Sequence, residues 1–502
     1  MPNLFSTFSG FKDPEHEAIK TLSGRMLRYR DLDQLSARLA GVLCDRGLRP
    51  GQRVAVQAEK SIEGLAFYIA CLRFGAIYVP MNTAYTVDEA TYIINDCKPA
   101  LLVISDGLSA AGYAGSAHDT GNVAVETLNG PDGSLMSAAA QTVPYQSVYG
   151  ATDEDIAAIL YTSGTTGKPK GAMLSHNNLA SNARTLVDAW RFSATDCLLH
   201  ALPIFHAHGL FVASNVALAS GASQIFLSKF NIPDVLAALS EATVFMGVPT
   251  FYTRLLNHAD FNAQSTQAMR LFTSGSAPLL PSTFEDFEAR TGQRILERYG
   301  MTETAMNTSN LYDGPRTPGS VGAALKDIHV RIVDAQGASV AAGQTGDVEV
   351  KGPNVMAGYW HAEDKTAESF TQDGFFKTGD QGYLDDAGYL FLVGRAKDMI
   401  ISGGFNVYPI EIEQALNDRE DVIETAVIGV PHPDFGEAVL AIVVPRSGYA
   451  FDGADAQSKL KQQLANYKLP KRIFERDALP RNTMGKVRKD LLRQDYVDIF
   501  NA

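Results

Sequence analysis

Amphipathic helices alternate with short apolar strands along the first hundred residues of the chain. Residues 31–46 place leucines at helical spacing, stop before Gly47 and lead into the apolar run 53–56. Residues 62–74 repeat the helical pattern before a second apolar run at 76–79. Because helical crossovers join parallel strands and cover both faces of the sheet, this alternation predicts an α/β fold built on mostly parallel sheets.

Two later regions depart from this pattern. Residues 323–349 alternate in strand fashion around glycine-containing turns, which predicts a small β-rich subdomain. The last hundred residues combine strand and helix patterns with a tail rich in proline, lysine and arginine, which indicates a separate α+β unit. We therefore predict a large N-terminal domain at 1–396 and a smaller C-terminal domain at 397–502.

The stretch 161–171 contains three glycines, four hydroxyl residues and two lysines. An apolar run suited to a buried strand precedes it, and a helical pattern at 175–190 follows it. Amide N–H groups, hydroxyls and compact positive charge together favour a loop that surrounds polyphosphate. It is not a Walker A loop, because Lys168 is followed by Pro169 instead of serine or threonine. The candidate phosphate-binding residues are Thr162, Ser163, Gly164, Thr165, Thr166, Gly167, Lys168 and Lys170.

Composition excludes several other classes of protein. A formal net charge of -13 argues against binding to nucleic acid. The four cysteines are widely spaced and form no C-x-x-C pair, which favours a reducing cytoplasm over a disulfide framework or a zinc site. The longest apolar stretch, 64–81, is interrupted by Arg73 and Pro80, so we expect no membrane anchor. The chain contains no G-x-S-x-G motif, which leaves a serine hydrolase unsupported.

The stretch 161–171 resembles the phosphate-loop signature of the adenylate-forming acyl-CoA synthetase superfamily, and 299–304 matches its Y-G-x-T-E motif. The resemblance implies that ATP and a carboxylic acid form an acyl-adenylate and pyrophosphate, after which coenzyme A displaces AMP as a thioester. ATP, Mg²⁺ and coenzyme A are thus the expected cofactor and substrates. It also implies that the C-terminal domain is mobile.

The same resemblance assigns roles around the nucleotide. Tyr299 would offer its ring to the adenine, Thr302 its hydroxyl to the α-phosphate, and Glu303 a carboxylate to Mg²⁺. Asp380 and Arg395 lie where the family contacts the ribose. An aspartate after glycine is also a common turn residue, and a hydroxyl such as that of Thr302 also caps helices.

Three further sites fall in the C-terminal domain. Lys397 occupies the hinge position of the family, and Gly403 and Gly404 would let the backbone approach the pantetheine chain. Lys486 lies in a match to the catalytic-lysine loop, where an ammonium bridges the anions that meet during adenylation. The alternatives are a solvated lysine, a plain turn and a basic surface tail. Because acylation removes a lysine's charge, we also predict that a lysine acetyltransferase acts on Lys486.

The acid pocket is predicted less directly. His206 and His208 would share a face of a strand, but no third ligand suggests a metal; the family places His206 near the substrate carboxylate, and a satisfied core histidine is the alternative. Arg254, in a predicted helix beside the pocket, would bind the second carboxylate of a dicarboxylic acid, with Ser274 and Ser276 completing the polar lining. A surface arginine is the competing interpretation.

Residues 200–203, 247–254 and 306–310 resemble members of the family that act on malonate, so we expect malonate, with or without methylmalonate, as the acid. Other classes remain open at this stage. A ligase for aromatic or medium-chain acids would need an apolar pocket. An adenylation module would need a carrier segment, and none is apparent after the catalytic-lysine loop. An idle nucleotide-binding regulator would not need Glu303 and Lys486.

Overall fold

The computed structural model describes residues 3–106, 123–162, 169–395, 398–402, 405–432, 435–464, 466–482 and 485–500. Its strands are β1 (Glu17–Lys20), β2 (Met26–Arg28), β3 (Arg53–Gln57), β4 (Ile77–Pro80), β5 (Leu101–Ile104), β6 (Ala124–Thr127), β7 (Ile156–Thr162), β8 (Lys170–Ser175), β9 (Cys197–His200), β10 (Ser223–Phe226), β11 (Val244–Gly247), β12 (Leu271–Ser274), β13 (Ile295–Met301), β14 (Ala305–Ser309), β15 (Ser320–Ala324), β16 (His329–Val333), β17 (Gly346–Lys351), β18 (Gly358–Tyr359), β19 (Phe376–Leu384), β20 (Leu390–Arg395), β21 (Ile400–Ser402), β22 (Phe405–Val407), β23 (Val422–His432), β24 (Gly436–Pro445) and β25 (Arg472–Glu475).

Its α-helices are α1 (Tyr29–Asp45), α2 (Ile62–Phe74), α3 (Val87–Cys97), α4 (Ser134–Gln141), α5 (His176–Ala189), α6 (Asn215–Ser220), α7 (Ile232–Ala238), α8 (Pro249–Leu256), α9 (Pro281–Thr291), α10 (Glu363–Ser369), α11 (Pro409–Asn417), α12 (Gly453–Gln463) and α13 (Lys489–Asp495). A π-helix spans His208–Ser214, and short 3₁₀ helices span Leu4–Thr7, Ser9–Lys12, Leu239–Glu241 and Asn466–Lys468.

The local sequence explains how a typical buried helix is bounded. The Ser61 side chain caps α2 by accepting the N–H of Gly64, and the helix ends at Gly75, whose φ of 85° suits glycine. Every residue of α2 is buried. It lies in the largest apolar cluster, together with α1 and the strands they cover.

Seven strands form the first sheet, in the order β18-β8-β7-β4-β3-β5-β6. Strands β7, β4, β3, β5 and β6 run parallel, as the helix–strand alternation predicts. The helix predicted at 175–190 is confirmed as α5, but the sequence analysis did not predict the strand that precedes it. The chain first returns as β8, antiparallel to β7, because the apolar residues of 170–175 pack onto the sheet before α5 begins.

The second sheet has thirteen strands, in the order β16-β17-β19-β20-β15-β14-β13-β12-β11-β9-β10-β1-β2. Its segment from β13 to β1 is parallel, and the strands of the predicted β-rich subdomain continue it as antiparallel neighbours. The carboxyl ends of β12 and β13, which are register partners, lead directly into the candidate site.

The C-terminal sheet is separate and contains five strands, β21 to β25. Its long hairpin, β23 with β24, packs against α11 and α12 in a core of its own. The predicted domain boundary at Lys397 lies outside the described residues and stays a prediction. Within the described residues no helix is long and apolar enough to cross a membrane.

Candidate functional site

The phosphate loop begins at the end of β7 and ends at the start of β8. Of the eight candidate residues, Ser163 to Lys168 lie outside the described residues, whereas Thr162 and Lys170 are described. The Thr162 hydroxyl donates to Oε1 of Glu303 at 3.4 Å. The Lys170 ammonium lies over the ring of Tyr359, 5.1 Å from its centroid. Both ends of the loop therefore lie near Glu303: Thr162 contacts it directly, and Lys170 contacts Tyr359, which donates to the same carboxylate.

Glu303 sits in the tight turn between β13 and β14, with Thr302 half-buried beside it. The turn closes with the N–H of Thr304 on the carbonyl of Met301, so the alternative of a helix start at Thr302 does not apply. Glu303 is only 7% exposed, and burial raises the pKa of its carboxyl, although hydrogen bonds from its own backbone, Tyr359 and Thr162 favour the charged form.

This carboxylate is suited to a divalent cation. Among the described residues no lysine or arginine forms an ion pair with Glu303, since Arg395 pairs with Asp380 instead. No group of three or more acidic, histidine or cysteine residues that could hold a metal occurs in the described part of the chain. Mg²⁺ typically takes one or two carboxylates together with substrate phosphates, so Glu303 fits a shared site of that kind.

Tyr299, Asp380 and Arg395 are brought together although they are distant in sequence. The Tyr299 hydroxyl donates to Oδ2 of Asp380 at 2.5 Å, and Nε of Arg395 lies 2.9 Å from Oδ1 of the same carboxylate. Asp380 and Arg395 face each other as register partners of β19 and β20. An aromatic ring beside a carboxylate and a guanidinium can bind the base and the ribose hydroxyls of a nucleotide.

His206 and His208, which we predicted to lie at the acid pocket, are located just before and at the start of the π-helix. Nδ1 of His206 accepts the backbone N–H of His208 at 3.3 Å, so its Nε2 carries the proton when the ring is neutral. Burial, with the nearby charges of Lys486 and Arg298, lowers the pKa of His206 to about 3. His206 is therefore a neutral hydrogen-bond donor at physiological pH.

Ser276 and Ser274 line the same region. The Ser276 hydroxyl lies 3.2 Å from Nδ1 of His208, and its backbone adopts an unusual φ of 71°. Ser274, at the end of β12, is fully buried. Its Oγ has no hydrogen-bond partner among the residues that the structure describes, and neither does Nε2 of His208. Buried polar atoms without partners are rare and indicate that a polar ligand completes the site.

Arg298 is the residue that our sequence prediction missed. It is 2% exposed on β13, its Nε and Nη2 have no hydrogen-bond partner, and it forms no ion pair within the described residues. The preceding Glu297 does not neutralise it, because successive strand residues face opposite ways and Glu297 accepts the N–H of Gly319. Burial lowers the pKa of Arg298 to about 10, which leaves it a cation at neutral pH.

Gly275 is what allows this arrangement. A β-carbon at Gly275 would overlap the Arg298 guanidinium, so only glycine lets the loop after β12 pass so close. The sequence signal for Arg298 is a charged residue inside the buried strand Ile-Leu-Glu-Arg-Tyr, directly before the Y-G-x-T-E motif. Its lack of a carboxylate partner is a tertiary property that the sequence does not reveal.

The structure confirms the helix that carries Arg254 but not the expected burial of its side chain. The predicted helix exists as α8, but the face that it buries carries Tyr252 and Leu255, and Arg254 is exposed. Its guanidinium lies over the ring of Phe230, 5.5 Å from the centroid. The expectation of a guanidinium buried among apolar neighbours is therefore wrong for Arg254 and describes Arg298 instead.

The C-terminal domain contributes its candidate lysine to this pocket. Lys486 is close enough to His206 for its charge to lower the pKa of the imidazole. The neighbouring Gly485 packs against Thr250 at the start of α8. The hinge candidate Lys397 and the glycines Gly403 and Gly404 lie outside the described residues.

Comparison with known proteins agrees with this geometry. The AMP-binding enzyme family matches residues 9–360, and the C-terminal domain of AMP-binding enzymes matches residues 411–486. The chain therefore belongs to the AMP-binding enzymes, an adenylate-forming class that uses ATP with Mg²⁺ and takes coenzyme A as a substrate. The family and the α/β fold predicted from the sequence are confirmed.

Individual relatives narrow the comparison. ATP-bound MatB from Rhodopseudomonas palustris is 51% identical, with 100% of each chain covered and a TM-score of 0.97, whereas its apo form matches with a TM-score of 0.85. Malonate–CoA ligase from Arabidopsis thaliana is 34% identical and covers 89% of this chain and 78% of its own. Indoleacetate–CoA ligase from Aromatoleum aromaticum is 36% identical over 94% of this chain and 93% of its own. The last two are named for different acids. Overall similarity therefore does not identify the acid, and the residues predicted to bind it have to be considered.

Proposed function

We propose that this protein ligates malonate to coenzyme A through a malonyl-adenylate, with release of pyrophosphate and AMP. The observation that carries the proposal is Arg298, a buried guanidinium with no carboxylate partner among the described residues, in the region that also contains His206, Ser274 and Ser276. The similarity to MatB and to the plant malonate–CoA ligase supports it.

A second carboxylate on the substrate would complete this pocket. A planar guanidinium binds a carboxylate through two parallel hydrogen bonds, and Arg298 retains two nitrogens without partners for that purpose. The hydroxyl of Ser274 and the free Nε2 of His208 offer further hydrogen bonds. A monocarboxylic acid would leave these buried groups unpaired, which is a severe penalty.

The reacting carboxylate then lies between the pocket and the nucleotide. Nε2–H of neutral His206 can donate to one of its oxygens while the other attacks the α-phosphorus and pyrophosphate leaves. Thr302 would bind the α-phosphate, and the Tyr299–Asp380–Arg395 group would bind the nucleoside. Mg²⁺ held by Glu303 would neutralise phosphate charge in this step.

Lys486 reduces the repulsion between the two anions. Carboxylate and α-phosphate both carry negative charge, and an ammonium beside His206 can bridge them as the new bond forms. The resulting acyl-adenylate then reacts with coenzyme A, whose sulfur attacks the acyl carbon and expels AMP. For this second step we retain the proposals that the C-terminal domain begins at Lys397 and turns there, and that Gly403 and Gly404 approach the pantetheine chain.

Pyrophosphate release with a panel of acids, with and without coenzyme A, tests the proposal. We expect malonate to be preferred over acetate, butyrate and indoleacetate by up to about 10⁴-fold in kcat/KM, because a site built for a polar group rejects analogues that lack it. Malonyl-CoA should form only when coenzyme A is present. Equal use of butyrate or indoleacetate would refute malonate as the substrate and favour a ligase for another acid.

Two further parts of the proposal concern the cell. We propose a cytoplasmic location, on the basis of unpaired cysteines, and regulation by acylation of Lys486, whose side chain is exposed. Acylation would remove the bridging charge. Stoichiometric acetylation at Lys486 should therefore abolish adenylation, and full activity of the acetylated enzyme would exclude this form of regulation.

A further inference from the structure

A short segment, residues 353–360, wraps around the turn that carries Glu303. The N–H of Met356 donates to the carbonyl of Glu303 at 2.8 Å, and the Asn354 amide donates to the carbonyl of Thr304 at 2.6 Å. From the other side, the amide of Asn178 donates to the carbonyls of Pro353 and Val355, both at 2.8 Å. Because buried side-chain amides fix its backbone on both sides, the segment has a defined position relative to Glu303.

This segment positions the side chain of Tyr359 beside the Glu303 carboxylate. Tyr359 forms β18 with Gly358, pairs with β8 and is 8% exposed. Its hydroxyl donates to Oε1 of Glu303 at 3.1 Å, the same oxygen that accepts from Thr162 at 3.4 Å. The face of its ring receives the Lys170 ammonium at 5.1 Å.

We propose that Tyr359 is a positioning residue that fixes the Glu303 carboxylate so that Oε2 serves as the ligand oxygen for Mg²⁺. Within the described residues, both side-chain hydrogen bonds that Glu303 accepts go to Oε1. A carboxylate held at one oxygen cannot rotate freely, and its other oxygen then keeps one direction. This inference rests on the proposed role of Glu303 but is independent of the identity of the acid.

The contact between Lys170 and Tyr359 connects the Tyr359–Glu303 hydrogen bond with the end of the phosphate loop. Lys170 begins β8 directly after the loop, so its ammonium connects the exit of the loop with the ring that orients Glu303. A cation over an aromatic face is attracted by the ring quadrupole, more strongly where water is excluded. The metal ligand and the end of the phosphate loop thus share one side chain.

The test is the affinity for ATP of the full-length protein, measured by calorimetry with Mg²⁺ and again with a chelator. Tyr359→Phe removes the hydroxyl and keeps the ring. We expect the gain in ATP affinity caused by Mg²⁺ to fall by about tenfold, since a hydrogen bond to a charged group is lost. The metal-free affinity for ATP should not change.

Tyr29→Phe is the matched control. Tyr29 is fully buried, and its hydroxyl donates to the carbonyl of Ala222 at 2.8 Å, in the apolar cluster around α1 and not at the nucleotide site. It should alter thermal stability without changing either ATP affinity. If Tyr359→Phe lowers both affinities equally, or neither, the positioning role is refuted.

A double-mutant cycle with Glu303→Gln tests whether Tyr359 acts through Glu303. If Tyr359 acts through Glu303, Tyr359→Phe should have no further effect on Mg²⁺-dependent binding in the Glu303→Gln protein. If Tyr359→Phe lowers Mg²⁺-dependent ATP affinity in the Glu303→Gln protein as much as in the wild type, the positioning role of Tyr359 is refuted and the assignment of Glu303 stands. A Glu303→Gln protein with an unchanged response to Mg²⁺ would instead remove the assignment of Glu303 as the metal ligand, and the proposal with it.

Discussion

Gly485 of the catalytic-lysine loop packs against Thr250 at the start of α8. A β-carbon on Gly485 would lie 3.0 Å from Oγ1 of Thr250, and its φ of 75° also favours glycine. This contact joins the C-terminal domain to α8, and the adjacent Lys486 lies close enough to His206 to lower the pKa of its ring.

Lys486 should therefore serve the first half-reaction only. Lys486→Ala should lower the rate of acyl-adenylate formation by about a hundredfold to a thousandfold, the usual effect of removing one preorganised group that stabilises developing charge. Thioester formation from supplied malonyl-adenylate should persist. Separate assays of the two half-reactions check this, and an equal loss in both would contradict a role confined to adenylation.

The hinge assignment predicts an asymmetric effect. Proline at position 397 fixes φ near −65° and removes a backbone donor, which should hinder rotation of the C-terminal domain. We expect Lys397→Pro to slow one half-reaction far more than the other. Lys397→Ala, which leaves φ free, is the control, and an unchanged ratio of the two rates in the proline variant would count against the hinge.

His176 predicts how stability depends on pH. Its Nδ1 accepts the N–H of Leu4 at 3.1 Å, and burial lowers the pKa of the ring from 6.5 to about 4. Because the folded state disfavours the protonated ring, the stabilising effect of neutral His176 is complete above pH 6.5 and is lost as the pH falls towards 4. A shift of this size corresponds to about 3 kcal/mol in the free energy of unfolding.

His176→Asn tests this contribution, since the amide oxygen can accept the same N–H and does not titrate. Denaturant unfolding from pH 7 to pH 4 should show a shallower loss of stability in the variant than in the wild type. The pKa of His206 is also lowered by burial, so that histidine contributes to the pH dependence of both proteins, and the quantity to compare is the difference between them. Parallel pH profiles would show that His176 contributes nothing.

The sequence predicted those parts of the site that form contiguous motifs. Tyr299 and Glu303 lie four positions apart, near the carboxyl end of β13 and just beyond it. Asp380 and Arg395 were predicted as ribose contacts. The ion pair between them could not be predicted, because it depends on the register of β19 and β20. In these cases a short stretch fixes both the residue type and the local geometry.

The residues that the sequence missed depend on packing between distant segments. Tyr359 belongs to a strand of only two residues, too short for any periodic signal. Arg254 and Arg298 both lie in short stretches rich in apolar residues, 251–256 and 295–299. Only the folded chain shows which of the two is buried, because that depends on which face of α8 packs and on Gly275 admitting the Arg298 guanidinium.

The ratio of kcat/KM for malonate to that for butyrate measures whether Arg298 selects a dicarboxylic acid. Arg298→Met should reduce kcat/KM for malonate by roughly 3–5 kcal/mol, the cost of leaving a buried carboxylate without its partner, and should change the value for butyrate little. The variant should fold at least as stably as the wild type, since it removes a buried unpaired charge. Arg254→Ala, at an exposed arginine, should leave the ratio intact. An Arg298→Met enzyme that keeps the wild-type ratio, or an Arg254→Ala enzyme that loses it, would contradict this account.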